Sequence, residues 1–288
     1  MSAATSPSEP PQPAAMHGVA ELAFASDRRG DTRLAHLYQQ APLRVLFPTS
    51  DGCGLTQAVL LTTSGGLVGG DRLDVRVSAG DGAAALVTPQ AAEKVYRSTG
   101  ADCRIAVRLA AGAGSWLEWL PQETILFDSA RLDRTTIIEA AEGARVLAGE
   151  MLVFGRRARG ETLLRGRLRE AWRVYRAGRL VWADALRAEG ALAAVLAGPA
   201  CLAGAAAAAT AIYAGDAAGD ALVLARDLTA SIGIGEMTAA ATVVAGLLVV
   251  RWLAQDARLL RCAFGRFWAA MRAALGGWPA VLPRVWSV

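Results

Sequence analysis

The residues of this sequence best suited to chemistry are carboxylates standing in apolar surroundings. They are Glu93 in AAEKVYRS, Glu118 and Glu123 flanking WLPQ, Asp128, and Glu150 in GEMLVFGR. Oxygen ligands suit hard and borderline divalent cations, so such a series, with backbone carbonyls, can pass an ion along without holding it tightly. The plainer reading gives each carboxylate a salt bridge or a turn, Glu93 beside Lys94 and near Arg97 above all. A second feature is SGGLVGGD (64–71), whose Gly65, Gly66, Gly69 and Gly70 free backbone amides of the kind that cradle phosphates. It lacks the Lys-Ser/Thr ending of a phosphate loop, and Asp71 at its end would repel phosphate. The remaining reading is a pair of turns with positive φ that present Asp71 and the backbone to an approaching partner chain. GDGAAA (80–85) loosely matches a dinucleotide fingerprint, but a strand-like AALVT follows where that site needs a helix N-terminus.

Other catalytic signatures are missing. His17 and His36 are the only histidines, and the sequence has no H-E-x-x-H and no Cys/His metal spacing. No G-x-S-x-G elbow supplies a serine nucleophile. Cys53, Cys103, Cys201 and Cys262 are widely separated and form no C-x-x-C pair, which fits a reducing compartment. No tight metal site is evident.

The elements that must position these groups are mostly strands. From about 17 to 190, short and often alternating apolar runs are separated by Gly, Asp and Pro. LDVRV (73–77), AALVT (84–88), RIAVRL (104–109), TTIIEA (135–140) and RLREAWRVY (167–175) are the clearest. In the last, Leu168, Trp172 and Val174 share one parity and Arg167, Arg169 and Arg173 the other, as in a half-buried antiparallel strand. Ala177-Gly178 then allows a hairpin turn into RLVWADAL. Helical periodicity concentrates after Asp256, an N-cap, where Leu260, Phe264, Phe267, Trp268, Met271 and Leu275 recur at three- and four-residue steps. Arg258, Arg261, Arg266 and Arg272 fall largely elsewhere, and Gly276-Gly277 stop the helix. The Ala-rich segment 199–214 is a weaker helix candidate. No internal repeat is visible, so one continuous β-rich domain over 16–288 is expected, behind a disordered Pro/Ser tail over 1–15.

The chain has 288 residues, 53% of them hydrophobic and 19% charged, and so should fold around a real core. Lys94 is the only lysine among the 30 basic residues, so the net charge of +4 rests on arginine. Guanidinium groups pair with carboxylates as readily as with phosphates, and no nucleic-acid module accompanies them. The tail lacks the basic start and apolar core of a secretory signal, which points to the cytoplasm. Two apolar stretches, 191–214 and 239–254, raise a membrane reading. The first is too rich in Ala and Gly to gain much from lipid, and Arg251 interrupts the second, so both read as buried elements without membrane contact.

Three blocks resemble the UreD family of urease accessory proteins: LTTSGGLVGGDRL (61–73), TPQAAEKVYRS (88–98) and, most specific, WLPQETILFD (119–128). GEMLVFGRRARGE (149–161) and LPRVWSV (282–288) are also similar, and all run in family order; Thr63 and Ser64 stand where members often carry proline and a third glycine. The resemblance implies a mostly β, superhelical or layered fold with a few helices. It implies no enzymatic activity of its own, but binding to urease apoprotein together with UreF and the GTPase UreG to help place nickel in the urease active site. Nickel would be in transit, with no cofactor tightly bound. Partner or conduit residues would then fall among Gly65, Gly66, Gly69, Gly70, Asp71, Glu93, Lys94, Tyr96, Arg97, Gln122, Glu123, Asp128 and Glu150. The competing reading is a nucleotide- or small-molecule-binding enzyme that uses the glycine-rich loops.

Overall fold

A computed structural model describes residues 15–49, 52–230 and 237–286. The tail expected over 1–15 therefore lies, apart from Ala15, outside the described residues. Two sheets are stacked face to face. Sheet A runs in the order β14 (Arg179–Gly190), β13 (Gly166–Arg176), β11 (Arg131–Ala140), β8 (Cys103–Ala111), β5 (Arg72–Ala79), β1 (His17–Ser26) and β2 (Thr32–Gln40). Sheet B runs β16 (Met237–Val244), β17 (Leu247–Ala254), β15 (Ala207–Ala214), β12 (Arg145–Phe154), β9 (Trp116–Trp119), β6 (Ala84–Pro89), β4 (Thr56–Thr62) and β3 (Leu43–Leu46). The short β10 (Glu123–Leu126) pairs with β12 and with β7 (Glu93–Val95). Helices α1 (Leu192–Leu196), α2 (Ala218–Ala230) and α3 (Ala257–Gly276) complete the chain.

From β5 to β12 the chain winds as a coil, visiting sheet A and then sheet B on each turn. Strands β5, β8 and β11 pair in parallel in one sheet, and β6, β9 and β12 in the other. The corners are GDGA (80–83), GAGS (112–115) and AEGA (141–144), and Gly82, Gly114 and Gly143 hold φ of 67°, 63° and 70° there. Each corner hydrogen-bonds to the one beside it: the Gly82 amide donates to the Ala113 carbonyl and the Ala141 amide to that of Ala111. An internal repeat is thus present, contrary to the sequence reading. What recurs is a backbone conformation marked by a few small residues, too short a signal to show as self-similarity. The glycine pattern at 80–85 is one of these corners and is followed by strand β6.

Strand alternation sends one face of sheet A inward, with Leu73, Val75, Val77, Val107 and Leu109 buried against sheet B. Sheet B is covered on both faces, by sheet A and by α2 and α3. That double burial explains β15, where the structure departs from the expected helix over 199–214. Its alanines line up between β12 and β17, and Ala209 and Ala211 form part of the core beneath the helices. Side chains this small let a helix pack close to a sheet, and the cross-strand partners override the helical preference of alanine. The apolar stretch 239–254 is the hairpin β16–β17, with β17 buried and β16 alternating at the edge. Among the described residues, no helix is long and apolar enough to cross a membrane.

Helix α3 matches expectation. The Asp256 carboxylate accepts the amides of Arg258 and Leu259, Leu260, Phe264, Phe267, Trp268 and Met271 are buried, and Gly277 caps the end. Strand β13 is antiparallel to β14, as the hairpin predicts, but parallel to β11, because it also closes the last turn of the coil.

Candidate functional site

Between the sheets lies a cavity of about 270 Å³. Leu43, Leu60, Val75, Val107 and Trp119 supply apolar wall, while Thr62, Glu93, Gln122, Thr124, Arg134 and Glu150 supply polar groups. Of the residues singled out from sequence, Gly65, Gly66, Glu93, Lys94, Gln122 and Glu150 line this space. At Gln90, Ala91, Ala92 and Gln122 it meets a surface depression that Glu123 and Arg261 share. There Arg261 donates to Glu123 at 2.7 Å and to the side-chain Oε1 of Gln122, with its guanidinium over the Trp286 ring.

At the centre is a buried ionic cluster. Arg134 Nε donates to Glu170 Oε2 at 2.6 Å, Nη1 to the Thr124 hydroxyl at 2.8 Å, and Nη2 to Glu150 Oε2 at 3.3 Å. Arg134 and Glu170 are direct neighbours on the parallel strands β11 and β13, whereas Thr124 and Glu150 come from sheet B. The cluster therefore ties the two sheets together across the core. Two carboxylates face one guanidinium, and Glu170 Oε1 is buried without a hydrogen-bond partner. Burial first, and then the neighbouring Glu150, push the Glu170 carboxyl well above the usual range, although Arg134 opposes this. Glu93 is not ion-paired with Lys94 or Arg97 as the spacing implied. It accepts the Thr62 hydroxyl at 2.8 Å, and burial raises its carboxyl. Arg97 is exposed, and among the described residues its backbone bridges to Ala130 while its side chain meets no carboxylate.

Asp71 is not presented at a surface. It is 1% exposed, and its carboxylate accepts the amides of Met16 and Val68, each at 2.8 Å, so it fastens the start of β1 to the glycine loop. The loop itself is packed shut. A Cβ on Gly66, at φ 144°, would come within 2.5 Å of the Tyr96 ring, and one on Gly69 would overlap Ser98. Gly70, at φ 95°, completes the turn, and the Tyr96 hydroxyl donates to the Gly65 carbonyl at 2.8 Å. The amides of the loop thus serve the fold. Asp128 accepts the amides of Leu164 and Arg165, and although burial works against its charge, these bonds hold its carboxyl below the usual range.

Arg134 and Glu170 escaped the sequence reading, yet both left a signal. Arg134 shares the buried parity of Leu132 and Ile138, and Glu170 that of Leu168, Trp172 and Val174. A charge on the apolar side of an alternating strand is the mark of a buried ionic site. Arg272 escaped as well. It is fully buried on the Trp268 face of α3 and donates to Glu118 at 3.1 Å. The indoles of Trp116 and Trp268 add donors at 2.8 and 2.7 Å. Burial raises the Glu118 carboxyl, and Arg272 is the main opposing influence. Among the described residues, no group of three or more His, Cys, Asp or Glu is arranged to hold a metal ion. Burial pushes the Cys103 thiol up to about 12, so it is not a ready thiolate ligand.

Two stacked sheets enclosing a cavity with a few charged groups in an apolar wall define a β-coil scaffold of the binding or assembly kind. Comparison with known proteins gives the family: the model for UreD urease accessory protein matches residues 16–287, and the chain belongs to that family. Urease accessory protein UreD of Magnetococcus marinus is 50% identical over 289 aligned residues, covering 100% of this chain and 99% of the relative. The UreD of a Methylobacterium species is 46% identical over 90% of each chain. That of Rhodopseudomonas palustris is 42% identical over 95% of this chain and 92% of its own. The family is one of accessory proteins to an enzyme, and is not itself enzymatic.

Proposed function

We propose that this chain helps place nickel in the active site of urease, acting in the cytoplasm with urease apoprotein, UreF and the GTPase UreG, and that nickel passes through the cavity between its sheets. The observation that carries this reading is the pair of carboxylates in the cavity wall, backed by a third on Arg134. Glu93 and Glu150 line a space that adjoins a surface depression, and Arg134, also in its wall, pairs with Glu150 on one side and with the buried Glu170 on the other. A borderline cation finds oxygen donors along such a wall, but too few converging ones to be trapped, which suits cargo in transit. GTP hydrolysis falls to UreG in this reading, and the packed glycine loop, filled by Tyr96 and Ser98, agrees with that division of labour.

The test is reconstitution from purified urease apoprotein, UreF, UreG, GTP and nickel, with nickel counted per urease active site. Glu150→Gln keeps the shape of the wall and removes its charge. The expected result is a loss of at least about tenfold in nickel delivered, about 1.4 kcal/mol at the rate-limiting passage. Full delivery by this variant, or failure of the wild-type chain to co-purify with urease apoprotein or UreF, would count decisively against the proposal.

A further inference from the structure

Among the described residues, no layer covers the outer face of sheet A, and its register builds a shallow trough. The floor is a row of small side chains, Ala106, Thr135, Ala171 and Ala185, on β8, β11, β13 and β14. Two residues to either side along the strands run two rows rich in arginine. One contains Arg104, Arg169 and Arg187, and the other Arg76, Arg108 and Arg173. Arg76 and Arg169 are answered by Glu21 and Asp133. Arg104, Arg108, Arg173 and Arg187 are exposed, and their side chains have no ion-pair or hydrogen-bond partner among the described residues. The face therefore spends no intramolecular carboxylate on four of its guanidinium groups.

We infer that this trough docks an acidic α-helix of a partner protein, laid across the strands with carboxylates along both flanks. The dimensions fit. The arginine rows lie four residues apart along each strand, about 13 Å, and adjacent arginines of one row are spaced by multiples of about 4.8 Å. A helix is about 10 Å across with its side chains, so it rests on the alanine floor while, on each flank, carboxylates three or four residues apart line up along the arginine row of that side. Guanidinium favours this pairing, because its planar fork takes carboxylate in a bidentate manner. Nucleic acid fits less well. The floor has no aromatic ring on which a single strand could stack.

This inference rests on the proposed function only for its probes. Urease apoprotein, UreF and UreG are titrated separately against the wild-type chain, against Arg104→Glu/Arg108→Glu/Arg173→Glu, and against Arg28→Glu/Arg29→Glu, a control in the exposed β1–β2 turn. Thermal unfolding confirms that each variant is folded. The expected result is that one of the three proteins loses at least about tenfold in affinity for the face variant alone, with a shallower salt dependence. Equal binding by face variant and wild type overturns the docking face and leaves the proposed function standing. Binding of none of the three proteins to the wild type overturns both. Tight binding of duplex DNA that the face variant loses, with protein affinities unchanged, replaces the helix with nucleic acid.

Discussion

The molecule buries arginine beside glutamate in two places, and the two differ in stoichiometry and in what lies next to them. Under α3, Glu118 meets Arg272 one to one, and both of its oxygens are engaged by three donors. The only loose end is Arg272 Nη2, which has no partner. Between the sheets, Arg134 meets two carboxylates: Glu150 lines the cavity, and the Oε1 of the more deeply buried Glu170 has no hydrogen-bond partner among the described residues. A closed, balanced pair is a fastening. An unbalanced cluster next to open space retains spare acceptor capacity, which a passing cation can use.

The largest expected effect comes from breaking the fastening. Arg272→Met leaves Glu118 in an apolar layer without its counter-charge, held only by the two indoles, at a cost of about 3–5 kcal/mol. Urea denaturation measures it, and a loss below about 1 kcal/mol would erase the contrast. A smaller effect follows from the raised carboxyl of Glu170. Its folded-state value lies above its unfolded one, so its contribution to stability is complete below the ordinary glutamate range, about 4.3, and is lost as pH rises through the folded value. Unfolding across that range should show wild type losing stability toward neutral pH relative to Glu170→Gln. Glu118→Gln should show a weaker dependence, since three donors already support its charge; the reverse order would sink the comparison. The smallest effects are those of single donors. Trp268→Phe removes one from Glu118 and should cost about 1.5–3 kcal/mol, whereas Thr124→Val removes a neutral contact to Arg134 and should cost about 0.5–1.5 kcal/mol. Melting curves of the two variants decide their order.

Much of the fold was legible. Alternation marks β5, β8, β11 and β13, and the Asp256 cap and Gly277 bracket α3 to the residue. Strand β15 was not, because eight residues dominated by alanine carry no periodicity, and their conformation is set by β12 and β17 on either side. The coil was hidden for a related reason: its corners demand a left-handed residue and little else, so GDGA, GAGS and AEGA share a shape more than a sequence. In the site, Glu93 and Glu150 could be found because a carboxylate stands out in an apolar run. Asp71 stands out in the same way yet serves the backbone, since nothing local tells an amide-capping carboxylate from a free one. Arg134 and Glu170 needed strand parity and the knowledge that β11 and β13 are neighbours, and only the second of these is absent from the sequence.

The close seating of α3 on β12 has a mechanical consequence. Gly149 faces the helix, and a Cβ there would lie 2.7 Å from the Phe264 ring; Glu150, the next residue, points the other way into the inter-sheet cluster. A single strand separates the inward face of α3 from the cavity wall. Close-packed groups transmit displacement rather than absorb it. A protein gripping α3 from outside thus has a lever on Glu150, and need not enter the cavity to change its shape.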